Sequence, residues 1–353
     1  MRIAGAGSAF PKQYYSQAVL LAALREYWKD SLENPRMLDQ VFAHSGVDGR
    51  HLVLPLERYY SLQNFGDFNQ VWIEAAQELG ERAIRCAMAR AGLELSRIGA
   101  LFFVSVTGVA SPSIDARLIN RMRLPLNLRR TPIFGLGCVA GAAGVARAAD
   151  YVRAYPDQVA VLLAVELCSL TLQREDLSMA NLVSAGLFGD GAAAVVVAGA
   201  DVAETGVDIP GPRILATKSV FYPGTEDVMG WDISEKGFRI VLSREVPNVV
   251  RDHLGPDVDA VLAEYGFTRE DVGSWVLHTG GPKVLEAAEE SLGLQSGEVK
   301  ISWDCLRRMG NLSSASVLCV LEETMERRPA AGTLGVLAAL GPGFCSEVVL
   351  LRW

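Results

Sequence analysis

Three apolar runs constrain the fold of this chain more than any other feature of its sequence. They span residues 98–107, 159–165 and 191–198 and consist mainly of valine, leucine, alanine and phenylalanine. Strands of this kind are buried on both faces, which is typical of sheets that helices cover on both sides. A helical pattern over residues 71–91 precedes the first run. The sequence therefore predicts an α/β fold with a layered core.

Length and composition predict a large core that is divided into two halves. The chain has 353 residues, of which 50% are hydrophobic, and domains average about 150 residues. The turn-rich segment 199–213 interrupts the apolar pattern, so we predict one half at residues 1–200 and a second at 201–353. The second half repeats the alternation: helices are predicted after Pro247, at 282–292 and after Asn311, and strands at 274–278, 334–340 and 347–351.

Charge and cysteine content argue against several classes of function. Lysine and arginine total 33 and aspartate and glutamate 41, and this net charge of −8 argues against a broad nucleic-acid surface. The N-terminus lacks the regions of a signal peptide, and no apolar stretch reaches the ~20 residues of a membrane helix. The six cysteines form no CxxC pair, which argues against a disulfide framework or a zinc site. We expect a cytoplasmic protein without a metal.

Cys138 lies in the segment with the strongest chemical signal. An apolar strand leads into Gly-Leu-Gly-Cys138, and a helix made almost entirely of alanine and glycine follows. Glycines permit a tight strand-to-helix turn, which places the thiol at a helix N-terminus that favours its thiolate. The small residues predict a central, closely packed helix. We interpret Cys138 as a nucleophile, with a buried structural thiol as the alternative, and Cys86, Cys305 and Cys319 as structural.

His278 and Asn311 are the predicted partners of this cysteine. His278 ends a predicted strand before Thr-Gly-Gly-Pro, and α/β active sites collect at such carboxyl ends. Asn311 follows a glycine at the start of a predicted helix, where an ordinary N-cap is the alternative interpretation. His44, His51 and His253 are expected to be exposed or structural.

A cysteine, a histidine and an asparagine in this chain order fit two classes of chemistry. One is a papain-like hydrolase, in which the asparagine orients the histidine. The characteristic sequence around the papain cysteine is missing here. The other class is an acyl-transferring enzyme that forms carbon–carbon bonds and carries its acyl group as a cysteine thioester. The sequence favours this second class.

Several motifs together resemble type III polyketide synthases of the chalcone synthase superfamily. They appear in the order of that family and cover most of the chain; the most similar members are the bacterial alkylpyrone and alkylresorcinol synthases. The matching segments are Gly-Leu-Gly-Cys138-Val-Ala-Gly-Ala, Leu-Phe188-Gly-Asp-Gly-Ala-Ala, Gly237-Phe-Arg-Ile-Val-Leu-Ser-Arg-Glu-Val-Pro247, Val-Leu-His278-Thr-Gly-Gly-Pro, Gly-Asn311-Leu-Ser-Ser-Ala and Gly341-Pro-Gly-Phe-Cys-Ser-Glu.

The resemblance implies a thiolase fold, in which two related halves form a five-layered αβαβα sandwich, and a homodimer. It implies that Cys138 attacks an acyl-CoA starter and that His278 and Asn311 hold the thioester carbonyl of malonyl-CoA, whose decarboxylation creates an enolate. His278 would also form an ion pair with the Cys138 thiolate. Phe188 resembles a gatekeeper that excludes water. Beyond these CoA thioesters, no cofactor is implied.

The resemblance also implies a set of substrate-binding residues. Alignment of the motifs places Cys168, Thr171 and Ser313 around the starter cavity, and Thr107 is a further substrate-binding candidate. Ile240 stands where plant members carry a second gatekeeper phenylalanine, which suggests a longer cavity suited to fatty-acyl starters. Arg50 and Arg58 are candidates for contacts with the CoA phosphates at the tunnel mouth.

The predicted function is the iterative extension of a long-chain acyl starter with malonyl-CoA to alkyl α-pyrones or resorcinols. One alternative is a ketosynthase of the same fold that performs a single condensation, such as a β-ketoacyl-ACP synthase III or a chain-joining enzyme. A cysteine hydrolase and a catalytically inactive scaffold are further alternatives. The Gly341-Pro-Gly-Phe segment favours the polyketide synthase.

Overall fold

A computed structural model describes residues 1–32, 34–205, 211–295 and 297–353. The strands in chain order are Arg2–Ala9 (β1), Gln13–Ser16 (β2), Gly49–Leu52 (β3), Ile98–Val104 (β4), Arg129–Ile133 (β5), Val159–Leu167 (β6), Asp190–Ala198 (β7), Arg213–Phe221 (β8), Met229–Ser234 (β9), Gly237–Leu242 (β10), Val272–Leu277 (β11), Leu334–Gly341 (β12) and Cys345–Arg352 (β13). The α-helices are Gln17–Tyr27 (α1), Pro35–Ala43 (α2), Leu56–Tyr59 (α3), Phe65–Arg90 (α4), Ile114–Met122 (α5), Ala140–Ala154 (α6), Met179–Leu187 (α7), Val246–Glu264 (α8), Pro282–Leu292 (α9), Lys300–Met309 (α10) and Ser316–Arg327 (α11).

The main sheet has nine strands in the order β11-β12-β13-β8-β1-β7-β6-β4-β5. Its two parts meet between β1 and β8, at the single pair Arg2↔Arg213. In the N-terminal part, β7 pairs with β1 on one side and with β6 on the other. In the C-terminal part, β13 pairs in the same way with β8 and β12. All four pairings are antiparallel. A parallel strand follows in each part: β4 pairs with β6, and β11 pairs with β12. This shared pairing pattern makes the two halves structurally related, as predicted.

The fold has five layers, because alternate side chains of these strands pack against helices on opposite faces of the sheet. Successive residues of β7 face opposite sides, so that Val195 packs with α6 and α11 while Val196 packs with α4. In β12, Leu337 joins the same central helices, whereas Val336 packs with α8 and α9. Helices α6 and α11 are therefore enclosed between the two parts of the sheet. The layering is the αβαβα sandwich of the thiolase fold, which confirms the predicted fold class.

The central position of α6 explains its alanine- and glycine-rich sequence. A Cβ atom on Gly141 would lie 2.2 Å from the carbonyl oxygen of Ser314, and one on Gly144 would lie 2.4 Å from Cδ1 of Leu162. Both distances are too short for any side chain, because backbone or packed core atoms occupy the space. The predicted close packing of this helix is confirmed.

Most predicted elements are present with shifted ends. Helix α4 begins at Phe65 rather than 71 because the Asn64 side chain caps it by accepting from Asp67 N. Strand β4 ends at Val104, short of the predicted residue 107. Residues 206–210 of the predicted boundary segment lie outside the described residues, and the division at residue 200 stays a prediction. In the part of the chain that the structure describes, no helix is long and apolar enough to span a membrane.

Candidate active site

Cys138 lies in a 3₁₀ turn, Gly137–Val139, that runs directly into α6. Gly137 has a φ of +54°, and a Cβ atom there would lie 2.6 Å from Cδ of Pro342. Glycine is therefore required by both the left-handed backbone and the close approach of a neighbouring loop. The thiol is 5% exposed and donates to Ser313 Oγ, 3.6 Å from Sγ. The predicted placement at a helix start is confirmed.

Burial dominates the electrostatics of the Cys138 thiol. Desolvation raises its pKa to about 12, and the carboxyl group of Glu166 also raises it. Hydrogen bonds from Ser313 and from the Asn311 side chain act in the opposite direction and lower the pKa. Hydrogen bonds at the sulfur therefore favour the thiolate, while burial and the carboxyl group of Glu166 oppose it.

Asn311 is fixed by both its backbone and its side chain. Its N–H donates to Leu187 O at 2.9 Å, and its carbonyl accepts from Gly189 N at 3.0 Å, so that the residue forms a bridge with Phe188. Its Oδ1 accepts from Ser313 N at 2.7 Å. Because the oxygen is held by the loop, the amide nitrogen is the group left to act on the sulfur. The N-cap interpretation is wrong for α11, which begins at Ser316.

His278 follows the end of β11, as predicted from the sequence. It is 8% exposed, and its backbone N–H donates to Ala338 O of β12 at 3.1 Å. Within the described residues, its Nδ1 has no hydrogen-bond partner. Burial lowers the pKa of His278 to about 4, which favours the neutral imidazole. Burial thus opposes each charge of the predicted Cys138–His278 ion pair, which stays a prediction.

One cavity of about 720 Å³ brings the predicted catalytic groups together. Cys138, Phe188, His278 and Asn311 all line it. They come from four separate segments of the chain, and both halves contribute. Its remaining walls are largely apolar and include Met179, Val183, Leu187, Met229, Leu242, Val246, Val250, Leu254 and Phe344. A thiol, an imidazole and an amide that converge on a largely apolar chamber can form a thioester and stabilise an oxyanion.

Glu166 lies close enough to this site to raise the pKa of Cys138, and it was missed by the sequence analysis. It is fully buried, and one of its oxygens accepts from Thr107 Oγ1 at 2.9 Å and from Val106 N at 3.1 Å. Ser314 Oγ donates to the other oxygen. Desolvation raises the pKa of Glu166 to about 7 in spite of these bonds. The signal in the sequence was an acidic residue at the end of the apolar run 159–165.

The predicted substrate-binding residues do not share one chamber. Thr107 lines a second cavity of about 500 Å³, and Cys168 lines a third of about 110 Å³ that also reaches Phe188. Thr171 is buried, and its hydroxyl donates to Cys168 O at 2.8 Å. Ile240 pairs with Trp231 in the β9–β10 hairpin and is absent from the linings of these three cavities.

The cationic residues of the site differ from those predicted. Arg50 is 2% exposed, and its Nη2 donates to Ala185 O at 2.7 Å, so it does not stand at a tunnel mouth. Desolvation lowers the pKa of Arg50 to about 10, against the opposing effect of Asp190. Arg58 is exposed and lines none of the three cavities. Instead, the cavity that holds Cys138 is lined by the cationic residues Arg244 and Lys283 and by His44.

Comparison with known families agrees with this fold and this site. The N-terminal domain of chalcone and stilbene synthases matches residues 6–202, and the C-terminal domain of the same family matches residues 213–353. The chain therefore belongs to the chalcone and stilbene synthase family and is a type III polyketide synthase, an enzyme of decarboxylative condensation.

Individual relatives cover nearly the whole chain. A 1,3,6,8-tetrahydroxynaphthalene synthase of Streptomyces peucetius is 47% identical over 352 residues, which are 99% of this chain and 93% of that protein. A 3,5-dihydroxyphenylacetyl-CoA synthase of Streptomyces toyocaensis is 34% identical over 360 residues, covering 100% and 90%. The crystal structure of the Streptomyces coelicolor tetrahydroxynaphthalene synthase superposes with a TM-score of 0.92 at 31% identity, covering 100% of this chain and 99% of that one.

Proposed function

We propose that this chain condenses malonyl-CoA units on Cys138 into an aromatic polyketide of the tetrahydroxynaphthalene type. The observation that carries the proposal is the 47% identity to a tetrahydroxynaphthalene synthase over nearly the whole chain. Cys138, His278 and Asn311 around one cavity supply the chemistry. A tetrahydroxynaphthalene has no alkyl tail, so every carbon can come from the extender and no fatty-acyl starter is needed.

Each condensation begins with an acyl group on the cysteine. The Cys138 sulfur attacks the thioester carbonyl of the starter, the bond from that carbonyl to the CoA sulfur breaks, and CoA leaves as the thiol with the cysteine's proton. Because burial raises the pKa of Cys138 to about 12, a base must assist removal of this proton. His278, whose pKa burial lowers, is a neutral base in the same cavity.

Malonyl-CoA then binds with its thioester carbonyl between His278 and Asn311. Loss of its carboxylate as CO₂ leaves the electron pair in an enolate, whose oxygen accepts hydrogen bonds from these two groups. The enolate carbon attacks the Cys138 thioester, the carbon–sulfur bond breaks, and the thiolate is restored. The chain, longer by one unit, is now held on CoA and can return to the cysteine.

Arg244, Lys283 and His44 suit the CoA phosphates. All three line the cavity that contains Cys138. A cation at such a place attracts phosphate groups as malonyl-CoA enters. We expect Lys283→Ala to raise KM for malonyl-CoA with little effect on kcat, because the phosphates lie far from the reacting carbon.

A homodimer is part of the proposal. Strand β5 is the edge of the main sheet, and its residues are largely exposed. Phe134, which follows β5, is 48% exposed, and Val109 is 42% exposed. An exposed edge strand beside apolar residues is suited to contact with a second copy of the chain. Light scattering after size exclusion measures this directly.

Extension of a long-chain starter to alkyl α-pyrones or resorcinols is the second candidate function. It is favoured by the small cavity of about 110 Å³, where Cys168 and Phe188 meet a largely apolar wall. The apolar residues of that wall include Leu20, Ala23, Leu24, Leu52, Leu56 and Leu172. Each methylene buried there would contribute roughly 0.8 kcal/mol, if the cavity admits the chain.

One incubation series separates the candidates. The purified enzyme is given malonyl-CoA alone, or malonyl-CoA with acetyl-CoA or palmitoyl-CoA, and products are identified by mass spectrometry; Cys138→Ala is the control. A naphthalene product from malonyl-CoA alone supports the proposal. Alkylpyrones or resorcinols formed only with palmitoyl-CoA would replace it with the second candidate. A single-step ketoacid or a released fatty acid would indicate the ketosynthase or the hydrolase.

A further inference from the structure

The loop between β12 and β13 packs directly against the turn that carries the nucleophile. Besides the contact of Pro342 with Gly137, a Cβ atom on Gly341 would lie 2.6 Å from Val139 N and 3.0 Å from Leu136 O. The backbone on both sides of Cys138 therefore contacts the last residue of β12 and the turn that follows it, hereafter the loop 341–344. Phe344, at the end of this loop, also lines the cavity that contains Cys138. A shift of the loop would move both the thiol and the cavity wall.

A short segment after β8 holds this loop from the opposite side. Tyr222 N donates to Phe344 O at 2.8 Å, and Phe344 N donates to Thr225 Oγ1 at 2.5 Å. Thr225 Oγ1 in turn donates to Tyr222 O at 2.6 Å. Both backbone groups of Phe344 are thus bonded to this one segment. The position of the loop depends on the position of Tyr222.

The side chain of Tyr222 is anchored to α8. Its hydroxyl donates to Asp257 Oδ2, and Ser346 Oγ of β13 donates to the same oxygen. Tyr222 is 5% exposed and Ser346 is fully buried. The ring of His253, one turn before Asp257 on the same helix, stacks on Tyr222 with 4.2 Å between ring centroids. One oxygen of Asp257 therefore binds both Tyr222, which holds the loop, and Ser346, which follows it in β13, to α8.

We propose that Asp257 and Tyr222 are positioning residues for condensation, which act through the loop 341–344 on the geometry of Cys138. Neither residue lines the cavity that contains Cys138, and their hydrogen bonds connect them to the loop. The inference needs only the condensation chemistry of the family and is independent of which starter the proposed function assigns. Malonyl-CoA decarboxylation takes place between His278 and Asn311 and does not require attack by the thiol.

Tyr222→Phe tests this separation, because it removes the hydroxyl donor and keeps the ring. We expect acylation of Cys138 and its alkylation by iodoacetamide to slow about tenfold, since small displacements of a reacting group are costly. Malonyl-CoA decarboxylation should stay within about twofold of wild type. Tyr151→Phe is the matched control: its hydroxyl donates to Gly99 O at 3.2 Å, away from the loop. The Tyr151→Phe variant should have a lower melting temperature, but its rates of acylation, alkylation and decarboxylation should be unchanged.

Replacement of Asp257 provides the second arm. Asp257→Asn keeps an oxygen that can accept from both hydroxyl groups, so it should retain the wild-type acylation rate, whereas Asp257→Ala should slow acylation as Tyr222→Phe does. If Tyr222→Phe fails to fold, Ser346→Ala takes its place in the same comparison. Equal losses of decarboxylation and acylation, or no loss of either, would overturn the proposal. A wild-type enzyme that performs neither reaction would instead refute the proposed function, and the iodoacetamide rates would still test the positioning.

Discussion

Replacement of Glu166 by glutamine should remove a pH-dependent loss of stability. Burial raises the pKa of Glu166 from its ordinary 4.5 to about 7 in the folded state. The folded protein therefore holds this proton more tightly than the unfolded chain, so protonation favours folding. This proton's contribution to the free energy of unfolding is complete below about pH 4.5 and is lost as the pH rises through about 7. Glutamine, which never ionises, mimics the protonated form at every pH.

The expected magnitude follows from the two pKa values. Each pKa unit corresponds to about 1.4 kcal/mol, so the full effect on the free energy of unfolding is on the order of 3 kcal/mol. Between about pH 5 and pH 8, the Glu166→Gln variant should gain roughly 2–3 kcal/mol in free energy of unfolding relative to wild type. Glutamine has the same shape, and its oxygen can still accept from Thr107 and Val106. The hydroxyl of Ser314 can rotate to accept from the new amide.

Urea unfolding at a series of pH values measures this difference. Because the same pH series is applied to both proteins, other titrating groups cancel and the difference reports on Glu166 alone. Glu94→Gln, a substitution of an exposed glutamate, is the control and should show no change in the difference with pH. A difference between wild type and Glu166→Gln that stays constant from about pH 5 to pH 8 would refute the raised pKa.

Three further outcomes are expected at the site itself. Alanine at His278 or Asn311 should lower malonyl-CoA decarboxylation about 10²–10³-fold, the usual cost of an oxyanion donor; release of labelled CO₂ measures it, and a normal rate would exclude that residue. Peptide mass spectrometry after incubation with acyl-CoA should find the acyl group on Cys138, and an adduct on Cys168 alone would contradict the assignment. Asn311→Ala should slow alkylation of Cys138, because the amide lowers the pKa of this thiol; an unchanged rate would show that the amide does not act on the sulfur.

The positions of the candidate catalytic residues could be predicted because the signals for these positions are local in the sequence. Two glycines before Cys138 and small residues after it specify a tight turn and a crowded helix, and the structure has both. His278 directly follows an apolar strand, so its place at a strand end can be read from its neighbours alone. In each case, the residues that determine the conformation lie within a few positions of the functional side chain.

Residues whose roles depend on distant partners could not be predicted in this way. Glu166 is stabilised by Ser105, Val106, Thr107 and Ser314, which come from two other segments of the chain. Arg50 was predicted to contact the CoA phosphates at a tunnel mouth, whereas the fold buries its side chain against Gly189 and Gly310. Neither environment has a periodicity or spacing in the sequence that would reveal it.

The burial of this site determines how charge can arise in it. Desolvation raises the pKa values of Cys138 and Glu166 and lowers that of His278, so each group on its own favours its neutral form. In the proposed mechanism, transfer of the proton from Cys138 to His278 would create two opposite charges together, and their attraction in a low-dielectric cavity would offset part of the desolvation cost. Asn311 and Ser313, which hydrogen-bond to the sulfur, lower that cost further on the thiolate side. Because these contributions depend on distance, we expect the reactivity of Cys138 to depend on its position, and therefore on the loop that contacts its turn.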